Sequence, residues 1–85
     1  MTNTSVFLEA SRTVNGPRRI AYGPAKESFS RIASMWSVIL KNEVTASQVA
    51  QCMLALKLIR ESNSHSRDNV IDIIGYAGLI EEIET

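Results

Sequence analysis

Residues 24–42 read PAKESFSRIASMWSVILKN, and in them Phe29, Ile32, Ala33, Trp36, Ile39 and Leu40 recur at steps of three and four. That spacing gathers them on one side of an α-helix and is incompatible with the two-residue alternation of a half-buried strand. Pro24 is preset for a first helical position, and Glu27 sits where the positive end of the helix dipole favours an acid. The pattern fades at Lys41 and Asn42.

Downstream, Thr45 and Gln48 have the spacing of a capping box and launch a second long helix, ASQVAQCMLALKLIRES, whose apolar side chains cover nearly its whole circumference. Such a helix is expected to be the central, most buried one, with Cys52 in its core. Residues 63–69, NSHSRDN, form a polar break that ends with Ser66 or Asp68 placed to cap a last helix, DNVIDIIGYAGLIEEIE. Val70, Ile73, Ile74, Ala77 and Ile80 are its core face, and Gly75 and Gly78 cost it stability unless something packs closely there. Upstream, Thr4 or Ser5 caps a short helix carrying Val6, Phe7, Ala10 and Val14, with Asn15-Gly16 as a left-handed stop. The connector VNGPRRIAYGP, residues 14–24, is expected to be a loop shaped by Gly16, Pro17, Gly23 and Pro24. The fold class is therefore all-α, a small bundle of three main helices plus a short N-terminal one, in a single domain over residues 1–85.

The chain has 85 residues, so its core is small and a homodimer, with Trp36, Met53 and Ile80 among the contacts, is expected to cover what is left exposed. Nine basic and nine acidic residues cancel, which removes any bulk attraction to nucleic acid or an anionic membrane. A hydrophobic fraction of 45% is too apolar for disorder, and no apolar run approaches a bilayer-spanning length. The single cysteine and the absence of a secretory signal point to a reducing, cytoplasmic setting.

The informative residues are polar ones on apolar helices. Lys57 and Arg60 interrupt the second long helix, while Asp68, Asp72 and Tyr76 recur every four residues on the last. In an antiparallel hairpin the basic end of one helix meets the acidic start of the other, so Lys57 is expected to pair with Asp72. These charges either close the hairpin mouth as a structural network or line a site. In the second case Arg18, Arg19, Tyr22 and Lys26 from the connector join Lys57, Arg60, Asp68, Asp72 and Tyr76 as ligand-binding residues, with the cations gripping a phosphate. Glu27, Asp68 and Asp72 would then supply oxygen ligands to a divalent metal such as magnesium.

Other chemistries lack their residues. His65 has no second histidine for a zinc site, and the serines of the first long helix have no partner that would make a nucleophile. Met35 and Trp36 read as core or subunit-contact residues rather than a base-stacking platform.

The ordered segments VNGPRRIAYGP, FSRIASMWS, VAQCMLALKLIR and RDNVIDIIGYAG resemble a family of small proteins of unknown function common in tailed phages and prophages. The resemblance runs from about Phe7 to about Ile80, on Gly16, Arg18, Tyr22, Gly23, Phe29, Ile32, Ala33, Trp36, Leu56, Lys57, Arg60, Asp68, Asp72, Tyr76 and Ala77. More distantly, the Tyr-Gly, Lys-x-x-Arg and Asp-x-x-x-Asp elements are similar to phage nucleotide-modification-associated domains and to helical MazG-like nucleotide pyrophosphatases. Those enzymes, the resemblance implies, hold magnesium with paired acids on neighbouring helices. Here Glu27 is followed by Ser30 and Arg31, so the first acidic pair is incomplete.

Three functions follow as expectations. The first is a small phage or prophage accessory protein, acting in the host cytoplasm and binding a phosphate-bearing small molecule such as a nucleotide at residues 16–26 and the hairpin mouth. The second is a non-enzymatic protein-interaction module, for example an inhibitor of a host defence complex, and the third a diverged metal-dependent nucleotide pyrophosphatase. The balance leans away from catalysis, with a nucleotide or a host protein as partner and no membrane or nucleic acid.

Overall fold

The computed structural model describes residues 5–85, apart from the side chains of residues 18, 20 and 22. Five helices follow one another: α1 (Val6–Asn15), α2 (Pro17–Tyr22), α3 (Ala25–Leu40), α4 (Ala46–Asn63) and α5 (Arg67–Glu84). Among the described residues there is no strand, and the fold is the small all-α bundle that the periodicity predicts.

Local chemistry sets the boundaries. Ser5 caps α1 by accepting from the Phe7 N–H, and Ser66 caps α5 by accepting from that of Asn69. At α4 the capping box is complete: the Thr45 hydroxyl accepts from the Gln48 N–H, and the Gln48 side-chain oxygen accepts from the Thr45 N–H. Between α3 and α4 the chain turns through Lys41 in the left-handed region, φ 54°, and the Ser37 hydroxyl pins the return by accepting from the Val44 N–H at 2.9 Å.

The connector differs from the expected loop, because its middle winds into α2 with Pro17 at the start. Proline fixes φ at a helical value and gives up an N–H that a first turn leaves unbonded anyway. Gly16 does not make the expected left-handed stop; its φ is −94°. Glycine is required there for space, since a Cβ would lie 2.5 Å from the Arg12 carbonyl oxygen. Gly23, at φ 76°, is the left-handed turn that releases the chain into α3.

Lys57 meets Asp72, and Ala50 shares a cluster with Leu79 and Ile83, so α4 and α5 run antiparallel. Glu9 meets Arg67, Val14 meets Gly75 and Arg19 meets Glu82, so α1 and α2 climb α5 in its own direction. The start of α3 closes the bundle where Ala25, Ala50 and Ile83 are buried against Phe29, Ala46, Leu79 and Ile80.

Contrary to expectation, α4 is not central along its length. Ser47, Val49 and Ala50 are buried, but Cys52 is exposed and Leu56, Leu58 and Ile59 face outward. An all-round apolar helix signals burial only when neighbours surround it, and beyond its first turns α4 is packed chiefly by α5.

The two glycines of α5 behave differently. Gly75 is buried, and a Cβ there would stand 3.4 Å from Val14 Cγ2 of α1, at van der Waals contact. Gly78 is exposed and nothing lies within 4 Å of its would-be Cβ. Gly78→Ala should therefore stabilise the chain by up to about 1 kcal/mol, or ~4–8 °C in thermal midpoint by circular dichroism. An unchanged or lower midpoint would show that the glycine serves a contact outside this chain.

Candidate functional site

The side chains of α3 lean over the groove between α1, α4 and α5 without filling it. The space left is a cavity of about 380 Å³, inside the ~300–1,000 Å³ range of small-molecule sites. Phe29, Ile32 and Trp36 come from successive turns of α3, and Val49 and Met53 from one face of α4. Ile71, Gly75, Tyr76 and Leu79 of α5 form the far wall, with Val14 of α1 beside them. Helical spacing explains the convergence, because steps of three and four keep each set on the side facing the groove. The polar side chains at the cavity are Thr13, Arg19, Ser28, Asp72 and Tyr76.

Two ion pairs flank it. Lys57 Nζ lies 2.8 Å from Asp72 Oδ2, with side chains 17% and 28% exposed, which realises the pairing expected across the hairpin. Arg19 and Glu82 form a bidentate pair, Nη1 donating to Oε2 at 2.8 Å and Nη2 to Oε1 at 2.6 Å. Glu82 Oε2 also accepts from the Ala25 N–H at 3.2 Å, so a carboxylate from α5 caps α3, whose own N-cap is the proline Pro24. The Arg19 guanidinium, through these hydrogen bonds, holds the Glu82 carboxyl below the usual glutamate range, against the opposing effect of partial burial. The same hydrogen bonds raise the pKa of Arg19.

Of the ligand-binding residues expected from the sequence, Arg19, Asp72 and Tyr76 stand at the cavity, and Lys57 joins them through Asp72. Lys26, Arg60 and Asp68 are exposed and do not line it. The side chains of Arg18 and Tyr22 fall outside the described residues. The expected metal set is not assembled: among the described residues no three His, Cys, Asp or Glu side chains come together as ligands. Asp72 is turned to Lys57, while Glu27 and Asp68 are exposed in the first turns of α3 and α5. A divalent ion does not fit this arrangement, and no chemistry is derived through one. Glu9 on α1 is bound by Arg67 of α5, whose Nε donates to it at 2.9 Å.

Glu82 was not legible as a site residue, since an acid in the run Glu81-Glu82-Ile83-Glu84 reads as a solvated helix end. The aromatic walls carried a better signal. Phe29 and Trp36 are seven residues apart, and three of the five aromatic residues, with Tyr76, surround the cavity.

No helix among the described residues is long and apolar enough to cross a membrane. Residues 5–84 match the model of a domain of unknown function, DUF6378, and the chain belongs to that family. It is similar to the Gene 55 protein of Mycobacterium phage L5, 39% identical over 82 residues covering 94% of this chain and 53% of that protein. The Gene 55 protein of Mycobacterium phage D29 is 36% identical over 80 residues, covering 93% and 53%. The chain thus spans about half the length of the curated relatives it matches, and the family it joins is one of phage proteins. No solved structure matches it.

Proposed function

We propose that this member of a phage protein family is a non-catalytic binding module whose cavity takes the flat apolar body of a nucleoside or nucleotide. The observation that carries this reading is the placement of Phe29, Trp36 and Tyr76 around a mostly apolar cavity with a few polar groups at its edge. A planar heterocycle gains from aromatic walls and needs hydrogen-bonding groups at its edge. Asp72 gives one oxygen to Lys57 and has a second to accept from an exocyclic amino group. Thr13 and Ser28 offer hydroxyls to a sugar. Arg19 is the cation at the cavity, and because Glu82 already occupies its fork, a phosphate there competes with a carboxylate. The base is accordingly the main source of affinity and the phosphate a secondary one. The reading stops at binding, since Glu27, Asp68 and Asp72 do not gather as a metal-holding set.

Titrating nucleosides and nucleotides, with and without magnesium, tests this reading. Trp36 is the sole tryptophan, so its fluorescence should change on binding while the thermal midpoint rises, as it must for a ligand that binds only the folded chain. Trp36→Ala should abolish the response. Nucleosides and nucleotides that leave both signals unchanged would remove the proposal, and a shift confined to magnesium-containing samples would favour the pyrophosphatase.

The second reading, a protein-interaction module, is favoured by a different observation. Met35, Val38, Ile39, Leu40, Leu58 and Ile59 all lie between 45% and 75% exposed, outside the cavity walls. They fall into one set on α3 and another near the end of α4, and large apolar side chains left on a surface in this way mark association sites.

A further inference from the structure

The apolar surface of α3 is divided between two uses. Phe29, Ile32 and Trp36 line the cavity, while Met35, Val38 and Ile39 project outward and are 62%, 73% and 68% exposed. On a helical wheel Met35 and Ile39 are four residues apart and Val38 lies three after Met35, so the exposed side chains form a stripe rather than scattered points.

We propose that this stripe is a self-association surface, paired with the same stripe of a second copy of the chain across a two-fold axis. The occupant follows from charge. In such a symmetric contact the patch faces a second copy of itself, so a patch of one charge sign repels itself while an uncharged one does not. Between Arg31 and Lys41 the sequence is IASMWSVIL, without an ionisable residue. Among the other exposed apolar side chains, Leu56, Leu58 and Ile59 on α4 are interleaved with Lys57, Arg60 and Glu61, and Phe7 and Leu8 on α1 run into Glu9, so neither group has that property.

Area points the same way. The chain exposes 6009 Å². A folded monomer of 9.4 kDa is expected to expose ~5,000 Å², so the chain as a whole has room to give up the ~800 Å² of one side of a standard interface, and Val38, Ile39 and Met35 are among its most exposed large apolar side chains. The surface is separate from the ligand cavity, so the pairing stands or falls independently of nucleotide binding. Its contacts also differ from those expected from the sequence: Trp36 and Met53 are spent on the cavity and Ile80 on the core.

Sedimentation equilibrium over the micromolar to sub-millimolar range decides the matter. The parent chain should approach twice the 9.4 kDa monomer mass. Val38→Glu/Ile39→Glu and Val38→Lys/Ile39→Lys should each be monomeric, with far-ultraviolet circular dichroism unchanged because both sites are exposed. Mixed in equal amounts, the two variants should regain the doubled mass, since opposite charges then face each other across the axis. A parent that stays monomeric, a dimer that survives either charged pair, or a mixture that stays monomeric would each overturn the proposal. The circular dichroism arm separates dissociation from unfolding, and a parent that is already monomeric overturns the proposal without any variant.

Discussion

Asp72→Ala should lower the stability of the chain by about 2–3 kcal/mol, or ~10–20 °C in thermal midpoint. The variant strands Lys57, only 17% exposed, on a surface where Asp72 is its ion-pair partner. A fully buried pair broken in this way costs ~3–5 kcal/mol, and the partial exposure of both side chains lets water recover some of it. The signature is asymmetry. Lys57→Met keeps the aliphatic contact and leaves a carboxylate, 28% exposed, that water reaches more readily, so it should cost less than Asp72→Ala. The double variant Lys57→Met/Asp72→Leu should recover most of the loss because it removes both charges together. Equal and additive effects in that cycle, measured by thermal and urea denaturation, would show that the pair carries no coupling.

Glu82→Ala should cost about 2 kcal/mol by removing two charge-assisted hydrogen bonds to Arg19 and the cap on Ala25, with some relief from solvent at 36% exposure. Glu82→Gln, which keeps the cap and one bond to the fork, should fall between parent and alanine variant. The pH dependence has a definite sign. The folded pKa of Glu82 lies below its ordinary value, so its contribution is fully present above the unfolded pKa, about 4.3. It is lost as the pH falls through the folded value. The parent should therefore lose more stability than Glu82→Ala between neutral pH and the acid range, and the two denaturation curves should converge under acid. Parallel pH profiles would exclude Glu82 as the titrating group.

The helices with regular periods and local caps were legible in the sequence. Thr45 and Gln48, or Ser66 and Asn69, are close neighbours, and their hydrogen bonds need no knowledge of the rest of the fold. Lys57 with Asp72 was legible as well, because a short connector between two long helices leaves an antiparallel hairpin as the simplest path. The helix α2 was not, since six residues are too few to show a period and Pro17 with the flanking Gly16, Gly23 and Pro24 reads as a turn. Nor was the fate of Arg19, whose partner lies 63 residues away and carries no local mark. At α4 the pattern itself misled: its outward apolar side chains are identical in kind to core ones, and only tertiary placement separates them.

The clamps that join the two ends of the chain have a consequence for the order of folding. Arg67 reaches back 58 residues to Glu9 and Glu82 reaches back 63 to Arg19, so the flank along which α1 and α2 settle is made last. Within this domain α1 and α2 precede the helix they pack along. Short isolated helices are marginal in water, and contacts so distant along the chain delay closure. Helix α1 therefore settles only once the first half of α5 has formed, where Arg67 and Gly75 receive it, and α2 only once the last turns bring Glu82 to Arg19.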